Sequence, residues 1–129
     1  MLSDESRCRM KAGVDIVEIQ RIHNLIDRYG RRFLDKAFTE AEQRYCESGA
    51  NRDEKYAGRF AGKEALRKAL QPFTDEKYLP FTQIEILPNT HGMPVPVIHA
   101  ALRLKQSFSE ISLSISHERR YAIAFAVIS

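Results

Sequence analysis

Residues 59–69, Arg59-Phe60-Ala61-Gly62-Lys63-Glu64-Ala65-Leu66-Arg67-Lys68-Ala69, set a single carboxylate among four cations. On a 3.6-residue wheel Glu64 falls between Phe60, Ala57 and Ala61, the side of a helix that should face protein. Arg59, Lys63 and Arg67 form an i, i+4, i+8 row beside it, and like charges at that spacing repel by roughly a few tenths of a kcal/mol per pair. A chain that keeps such a row gains from an outside anion. A carboxylate next to it points to a divalent metal carrying a polyphosphate. The simpler alternative is an ordinary solvated helix in which Glu64 and Lys68 form a favourable i, i+4 pair. This segment leaves both open.

Asp15 is the second carboxylate of interest. It sits toward the end of an apolar stretch, where an unpartnered charge is costly to bury. Asp15-x-x-Glu18 has the form of a helix N-cap with its capping-box partner. Alternatively, Asp15 joins Glu64 around Mg²⁺, which takes one or two carboxylates and completes its octahedron with water and phosphate oxygens. No Cys/His cluster has zinc spacing. Ser114 and Ser116 share a strand face that could bond phosphates, and His117 follows at the strand end, where histidine is more often structural or exposed than catalytic. His91-Gly92-Met93-Pro94 reads as a turn into an edge strand, with Gly92 free to take a positive φ.

The elements that must carry these residues follow from periodicity. Met10 to Val17 alternates as a first strand. A helix runs from about Glu18 to Tyr29, and a shorter one carries Phe33, Leu34, Ala37 and Phe38. Thr39-Glu40-Ala41-Glu42 is a capping box that opens a helix to about Glu47. The basic helix spans Arg52 to Leu70 and stops before Pro72. Strands follow over Thr82–Ile86 and 93–98, the latter on an edge because Pro94 and Pro96 lack donors on one side. A short helix is expected over His99–Phe108, then strands at Ile111–Ser116 and Tyr121–Ile128. The last is apolar on both faces, so it is central or covered by another subunit. The fold class is α+β: an antiparallel sheet with helices inserted after the first strand.

The chain's 129 residues, 43% of them hydrophobic and 29% charged, describe one soluble domain over residues 10–129, with residues 1–9 a flexible extension. Net charge is only +3, but the cations cluster, which favours phosphates or an acidic partner and leaves a nucleic-acid-binding module as a second class. Two cysteines, Cys8 and Cys46, imply no disulfide framework. There is no signal-peptide pattern and no run of transmembrane length, so a cytoplasmic protein is expected.

Taken together, Gly13-Val14-Asp15-Ile16-Val17-Glu18-Ile19 with Arg21, then Arg59-Phe60-Ala61-Gly62-Lys63-Glu64-Ala65 with Lys68-Ala69, Gly92-x-Pro94, and Ser114-Ile115-Ser116-His117 with Tyr121-Ala122 resemble the holo-acyl-carrier-protein synthases. These are the small trimeric branch of the 4′-phosphopantetheinyl transferases, and the resemblance runs from about Ala12 to the C-terminus. It implies the 4′-phosphopantetheinyl transferase fold. The implied reaction moves 4′-phosphopantetheine from coenzyme A to a serine of apo-acyl carrier protein, for fatty acid biosynthesis. The resemblance further implies Asp15 and Glu64 as Mg²⁺ ligands and Glu64, Lys68 and His117 as catalytic residues. Arg59, Phe60, Lys63, Lys68, Gly92, Pro94, Ser116 and His117 would bind coenzyme A, and Arg21, Arg28 and Arg32 would dock the acidic carrier protein. A homotrimer with sites between subunits is also implied. The chain departs from the family pattern in having Gly62 for the usual Ala, Gln71-Pro72-Phe73 for a Gly-rich loop, and His91 where a turn Asn is frequent; the altered loop leaves a coenzyme A-binding relative with impaired turnover as a third class.

Overall fold

A computed structural model describes residues 9–99 and 104–129. The elements run β1 (Lys11–Glu18), α1 (Ile19–Tyr29), α2 (Arg31–Ala37), α3 (Glu40–Glu47), α4 (Arg52–Leu70), β2 (Ile84–Pro88), β3 (Pro94–Ile98), β4 (Ile111–His117) and β5 (Tyr121–Ile128). Single 3₁₀ turns at Gln71–Phe73 and Phe81–Gln83 flank the connection from α4 to β2. The α+β arrangement, with its helices inserted after the first strand, is as expected.

The main sheet has three antiparallel strands in the order β1-β5-β4. The last strand is therefore central, as its two apolar faces required. Asp15 lies opposite Ala124, and Ala124 opposite Ile115, so β5 links the strand bearing Asp15 to the strand bearing Ser116 and His117. One face, with Val17, Leu113, Ala122, Ala124, Ala126 and Ile128, is buried against α4. Its alanines let the helix approach closely. Gly13 allows the tightest contact, since a Cβ there would lie 2.0 Å from the backbone oxygen of Ala65. The other face leaves Val14, Ile16, Ile123 and Phe125 between 41% and 61% exposed, an open apolar surface.

β2 and β3 form a separate two-stranded sheet in which Pro94 faces Pro88 and Pro96 faces Ile86, so residues 94–98 do form an edge. The Thr39 capping box is formed from both sides: the Thr39 hydroxyl accepts from the Glu42 N–H, and Glu42 accepts from the Thr39 N–H. The helix expected over His99–Phe108 is not found where the chain is described. Residues 100–103 lie outside the described residues, and His99 and 104–108 are irregular. Phe108 instead packs edge-on against Phe73, and the Lys105 N–H donates to the Phe73 carbonyl at 2.6 Å. Residues 1–8 of the expected extension also lie outside the described residues.

Candidate active site

Strand β1 and helix α4 bring the first two acidic candidates to one place. Asp15 is part of the strand, and the N-cap position of α1 falls to Glu18, which makes no side-chain cap bond. The capping role for Asp15 is thereby excluded. Its carboxylate accepts from Lys68 Nζ at 3.2 Å, and the same ammonium donates to the Val14 carbonyl at 2.9 Å. Glu64 precedes Lys68 by one turn, on the same face of α4, where side chains at this spacing stand about 5–6 Å apart. Lys68 thus ties Asp15 to the Glu64 turn. The simple Glu64–Lys68 pair is not what forms: Glu64 faces Arg67 at 3.4 Å, with both side chains 27% exposed.

Lys63 requires a correction. It is fully buried, and its ammonium donates to Glu42 Oε1 at 2.5 Å and to the carbonyls of Ala37 and Phe81 at 2.9 Å. Three acceptors use all three of its donors, so Lys63 has nothing left for a coenzyme A phosphate. Burial pulls its pKa below the ordinary lysine value, and the facing Glu42 opposes that shift. The wheel placed Lys63 in a cationic row open to an outside anion because helical spacing cannot show that the carboxylate of Glu42, on another helix, is waiting beneath it. Glu42 also accepts from the Ile86 N–H at 2.8 Å, joining α3 to β2. The capping box revealed Glu42 as a helix-start residue; nothing in the sequence pattern marked it as the partner of a buried lysine.

Arg59 is also buried, 7% exposed, with its guanidinium 4.4 Å above the Tyr45 ring; its Nε is buried without a partner. Phe60 is half-buried and meets Phe81 edge-on, with ring centroids 5.3 Å apart. Between them and Glu64 opens a cavity of about 540 Å³, also lined by Phe33, Arg67 and Leu79. Sequence reasoning missed Phe33 and Leu79 as wall residues, because Phe33 reads as part of an apolar helical turn and Leu79 lies in a connection without periodicity.

His117 and the serines are not brought to Glu64 within one chain. Ser116 lies opposite Ile123 and shares its exposed face, the reverse side of the sheet from α4. His117 sits 3.8 Å from Glu54 at the other end of α4, with Glu54 ten residues and about 15 Å along the axis from Glu64. Gly92 takes φ +81 in an exposed turn, where Asn89 Oδ1 accepts from the N–H groups of His91 and Met93, and Pro94 opens β3. Arg21, Arg28 and Arg32 are all exposed on α1 and α2, and Arg32 immediately precedes the cavity's Phe33.

Residues 11–126 match the 4′-phosphopantetheinyl transferase superfamily. The holo-[acyl-carrier-protein] synthase of Halothermothrix orenii is 43% identical over 118 residues, covering 89% of this chain and 93% of its own. The chain belongs to the holo-[acyl-carrier-protein] synthases of that superfamily. Among solved structures, the Helicobacter pylori synthase in complex with coenzyme A matches with a TM-score of 0.78 and 33% identity, over 92% of this chain and 99% of that one. The Neisseria meningitidis synthase matches at 0.81 and 30%, over 92% and 97%. These likenesses establish the synthase fold for this chain.

The donor set can be tested against a metal on this structure alone. Among the described residues, no group of three or more His, Cys, Asp or Glu could hold an ion. Around Lys68 the candidate donors are Asp15 and, one turn back on α4, Glu64, two hard carboxylates. That set suits a hard cation that keeps water and takes phosphate oxygens, and does not suit zinc.

Proposed function

We propose that this protein transfers the 4′-phosphopantetheine group of coenzyme A to a serine of apo-acyl carrier protein, giving holo-acyl carrier protein and adenosine 3′,5′-bisphosphate. The observation that carries the mechanism is the Lys68–Asp15 contact, which sets a second acidic strand residue beside the turn of α4 that bears Glu64. Asp15 and Glu64 would hold Mg²⁺, which when bound supplies Lewis acidity toward the diphosphate of coenzyme A. The chain's own groups do the rest. Lys68 is 53% exposed and offsets negative charge on the transferred group while keeping Asp15 in place. Glu64 accepts the proton of the carrier serine as its oxygen bonds to the pantetheine-side phosphorus. The bond from that phosphorus to the bridging oxygen breaks, and the bisphosphate leaves with the electron pair. Phosphoryl transfer asks chiefly for such positioning and charge neutralisation.

Coenzyme A and the acidic carrier protein are the partners of this reaction. Arg59, Phe60, Lys68, Gly92, Pro94, Ser116 and His117 are the proposed coenzyme A contacts, and Arg21, Arg28 and Arg32 dock the carrier. His117, within reach of the diphosphate from a neighbouring subunit, completes the catalytic set. This requires a neighbouring subunit, which the proposed homotrimer supplies, and two features support assembly. The open apolar face of β1 and β5 needs a cover, and Ser116 and His117 stand too far from Glu64 to serve the same site in one chain. Sedimentation tests it: a monomer at micromolar concentration contradicts it. Among the described residues no helix is long and apolar enough to cross a membrane, and we place the reaction in the cytoplasm.

The decisive experiment is the intact mass of an apo-acyl carrier protein after incubation with coenzyme A, Mg²⁺ and this protein. Gain of one phosphopantetheinyl group is expected, and an unchanged mass rejects the activity. Asp15→Asn should lose on the order of a hundredfold at limiting magnesium, at least the cost of losing an outer-shell partner of a metal. Full activity of that variant would reject the metal assignment. The nucleic-acid alternative gains no support from the exposed sheet face, where Val14, Ile16, Ile123 and Phe125 stand with no lysine or arginine interleaved among them.

A further inference from the structure

Lys63 and Arg67 stand one turn apart on α4, on either side of Glu64 in sequence, and both direct their cationic groups at the segment entering β2. Lys63 donates to the Phe81 carbonyl. Arg67 donates to the Leu79 carbonyl twice, from Nε at 3.2 Å and from Nη2 at 2.8 Å. Its guanidinium carbon lies 4.2 Å from the centre of the Phe81 ring, and its Nη1 is 3.4 Å from Glu64 Oε1. One planar group therefore touches a carbonyl, a ring and a carboxylate at once.

All three belong to the wall of the cavity that Glu64 opens onto, together with Phe33 and Phe60. The wall needs such a tie. Between α4 and β2 the chain makes only two single 3₁₀ turns, so no ladder of backbone bonds fixes residues 78–80. A rigid fork holds its acceptors in a set plane, whereas a flexible ammonium at the same place offers a point charge. Nε and Nη2 already share the Leu79 carbonyl, so that edge of the fork is not open to a bidentate phosphate.

We propose that Arg67 is a positioning residue for the transfer reaction: it fixes the Leu79–Phe81 wall of the cavity and the Glu64 carboxylate relative to each other. This rests on the transferase reading of Glu64. Misplacing a reacting group by about 1 Å costs up to a hundredfold in rate. Arg67→Met keeps the stem over Phe81 and removes the fork. It should lower kcat by about tenfold or more, with the KM for coenzyme A held within about twofold. Arg67→Lys should not rescue it, because one ammonium cannot serve the carbonyl and the carboxylate in one plane. Trypsin should cut after Lys77 faster in both variants than in the parent, a readout that needs no turnover.

A kcat within twofold of the parent in Arg67→Met overturns the proposal. So does a loss confined to the KM for coenzyme A and restored by Lys, which would make Arg67 a phosphate contact. Should Arg67→Met fail to fold, the milder Arg67→Lys carries the same test. An inactive parent protein would overturn the transferase reading and this role with it; an active parent with unaltered variants overturns only the role of Arg67.

Discussion

Two lysine–carboxylate pairs on one helix behave as opposites. Lys63 and Glu42 are 0% exposed and 2.5 Å apart, and backbone groups from α2, α3 and the β2 approach satisfy what the pair leaves over. Lys68 and Asp15 are 53% and 21% exposed and 3.2 Å apart, with the Val14 carbonyl as the one further partner among the described residues. The buried pair is a joint between elements. Its desolvation has already been incurred, and neither group can change partner without leaving an uncompensated charge. The open pair is exchangeable, because water or an incoming ligand can take either partner at little cost. Both pair an ammonium with a carboxylate; depth and the number of satisfied acceptors separate architecture from chemistry.

The sharpest break of that contrast is to remove each ammonium in turn. Lys63→Met leaves Glu42 buried and unpaired and should cost about 3–5 kcal/mol in chemical denaturation. Lys68→Met should cost about 1 kcal/mol or less, yet strongly reduce carrier-protein modification. Equal stability losses would show that the two pairs are not different in kind.

Next in size is Gly13→Ala. The new Cβ would lie 2.0 Å from the Ala65 oxygen, a backbone atom that cannot swing aside, so β1 must lift from α4. We expect a loss of about 1–3 kcal/mol or more. Because the lift separates Asp15 and Val14 from Lys68 and leaves Lys63–Glu42 alone, transfer activity should suffer beyond what the unfolded fraction explains. Denaturation and the mass assay on the same preparation check this. Unimpaired activity would mean that the open pair does not need the strand where it lies.

Much of this arrangement was legible beforehand, and the exceptions have a common cause. The Thr39 cap, the span of α4 and the central place of β5 follow from signals local to a few residues: a hydroxyl before a glutamate, a proline after a helix, alternation of apolar side chains. Carboxylate chemistry offered Asp15 with Glu64 around Mg²⁺ as one of two readings, and only the family resemblance favoured it, since nothing local links a strand to a helix so far along the chain. Lys63 went wrong for the same reason. A helical wheel sees α4 alone, and the partners that bury Lys63 arrive from Ala37, Glu42 and Phe81. Residues 104–108, expected to be helical, are instead tied to Phe73 by long-range contacts that no periodicity records.

The buried half should also be the half that titrates far from neutrality. Cys46, on α3 behind Glu42, is fully buried, and burial pushes its thiol from 9.0 up to about 12. The unfolded chain releases that proton near its ordinary pKa while the folded chain keeps it. The contribution is thus fully present below pH 9 and falls by about 1.4 kcal/mol per unit between roughly 9 and 12. Tyr56, raised by burial and by its bond to Glu47, acts with the same sign. Lys63, lowered in the fold, acts with the opposite sign, gaining stability as pH climbs toward 10.5. The difference between the parent and Cys46→Ala isolates the thiol: their stability gap should hold steady from pH 7 to 8.5 and shrink by pH 10 in urea denaturation. A gap that stays constant would mean that water reaches Cys46.

The smallest effect is expected at Gly62, and it sharpens what Gly13 shows. Both glycines sit where the sheet side of α4 is crowded, but their obstacles differ. At Gly62 a Cβ would meet Ile86 Cδ1 at 2.8 Å, Leu113 Cδ2 at 3.4 Å and Ile115 Cδ1 at 3.5 Å, all of them tips of rotatable side chains. Alanine in a helix interior gains about 1 kcal/mol over glycine. Turning the Ile86 tip costs a comparable 0.5–1.5 kcal/mol, roughly, for an off-rotamer angle. The two should nearly cancel, leaving Gly62→Ala within about 1 kcal/mol of the parent in thermal denaturation and its activity unchanged. A loss as large as that of Gly13→Ala would mean that the tip of Ile86 is as immovable as backbone, and that β2 grips α4 as tightly as β1 does.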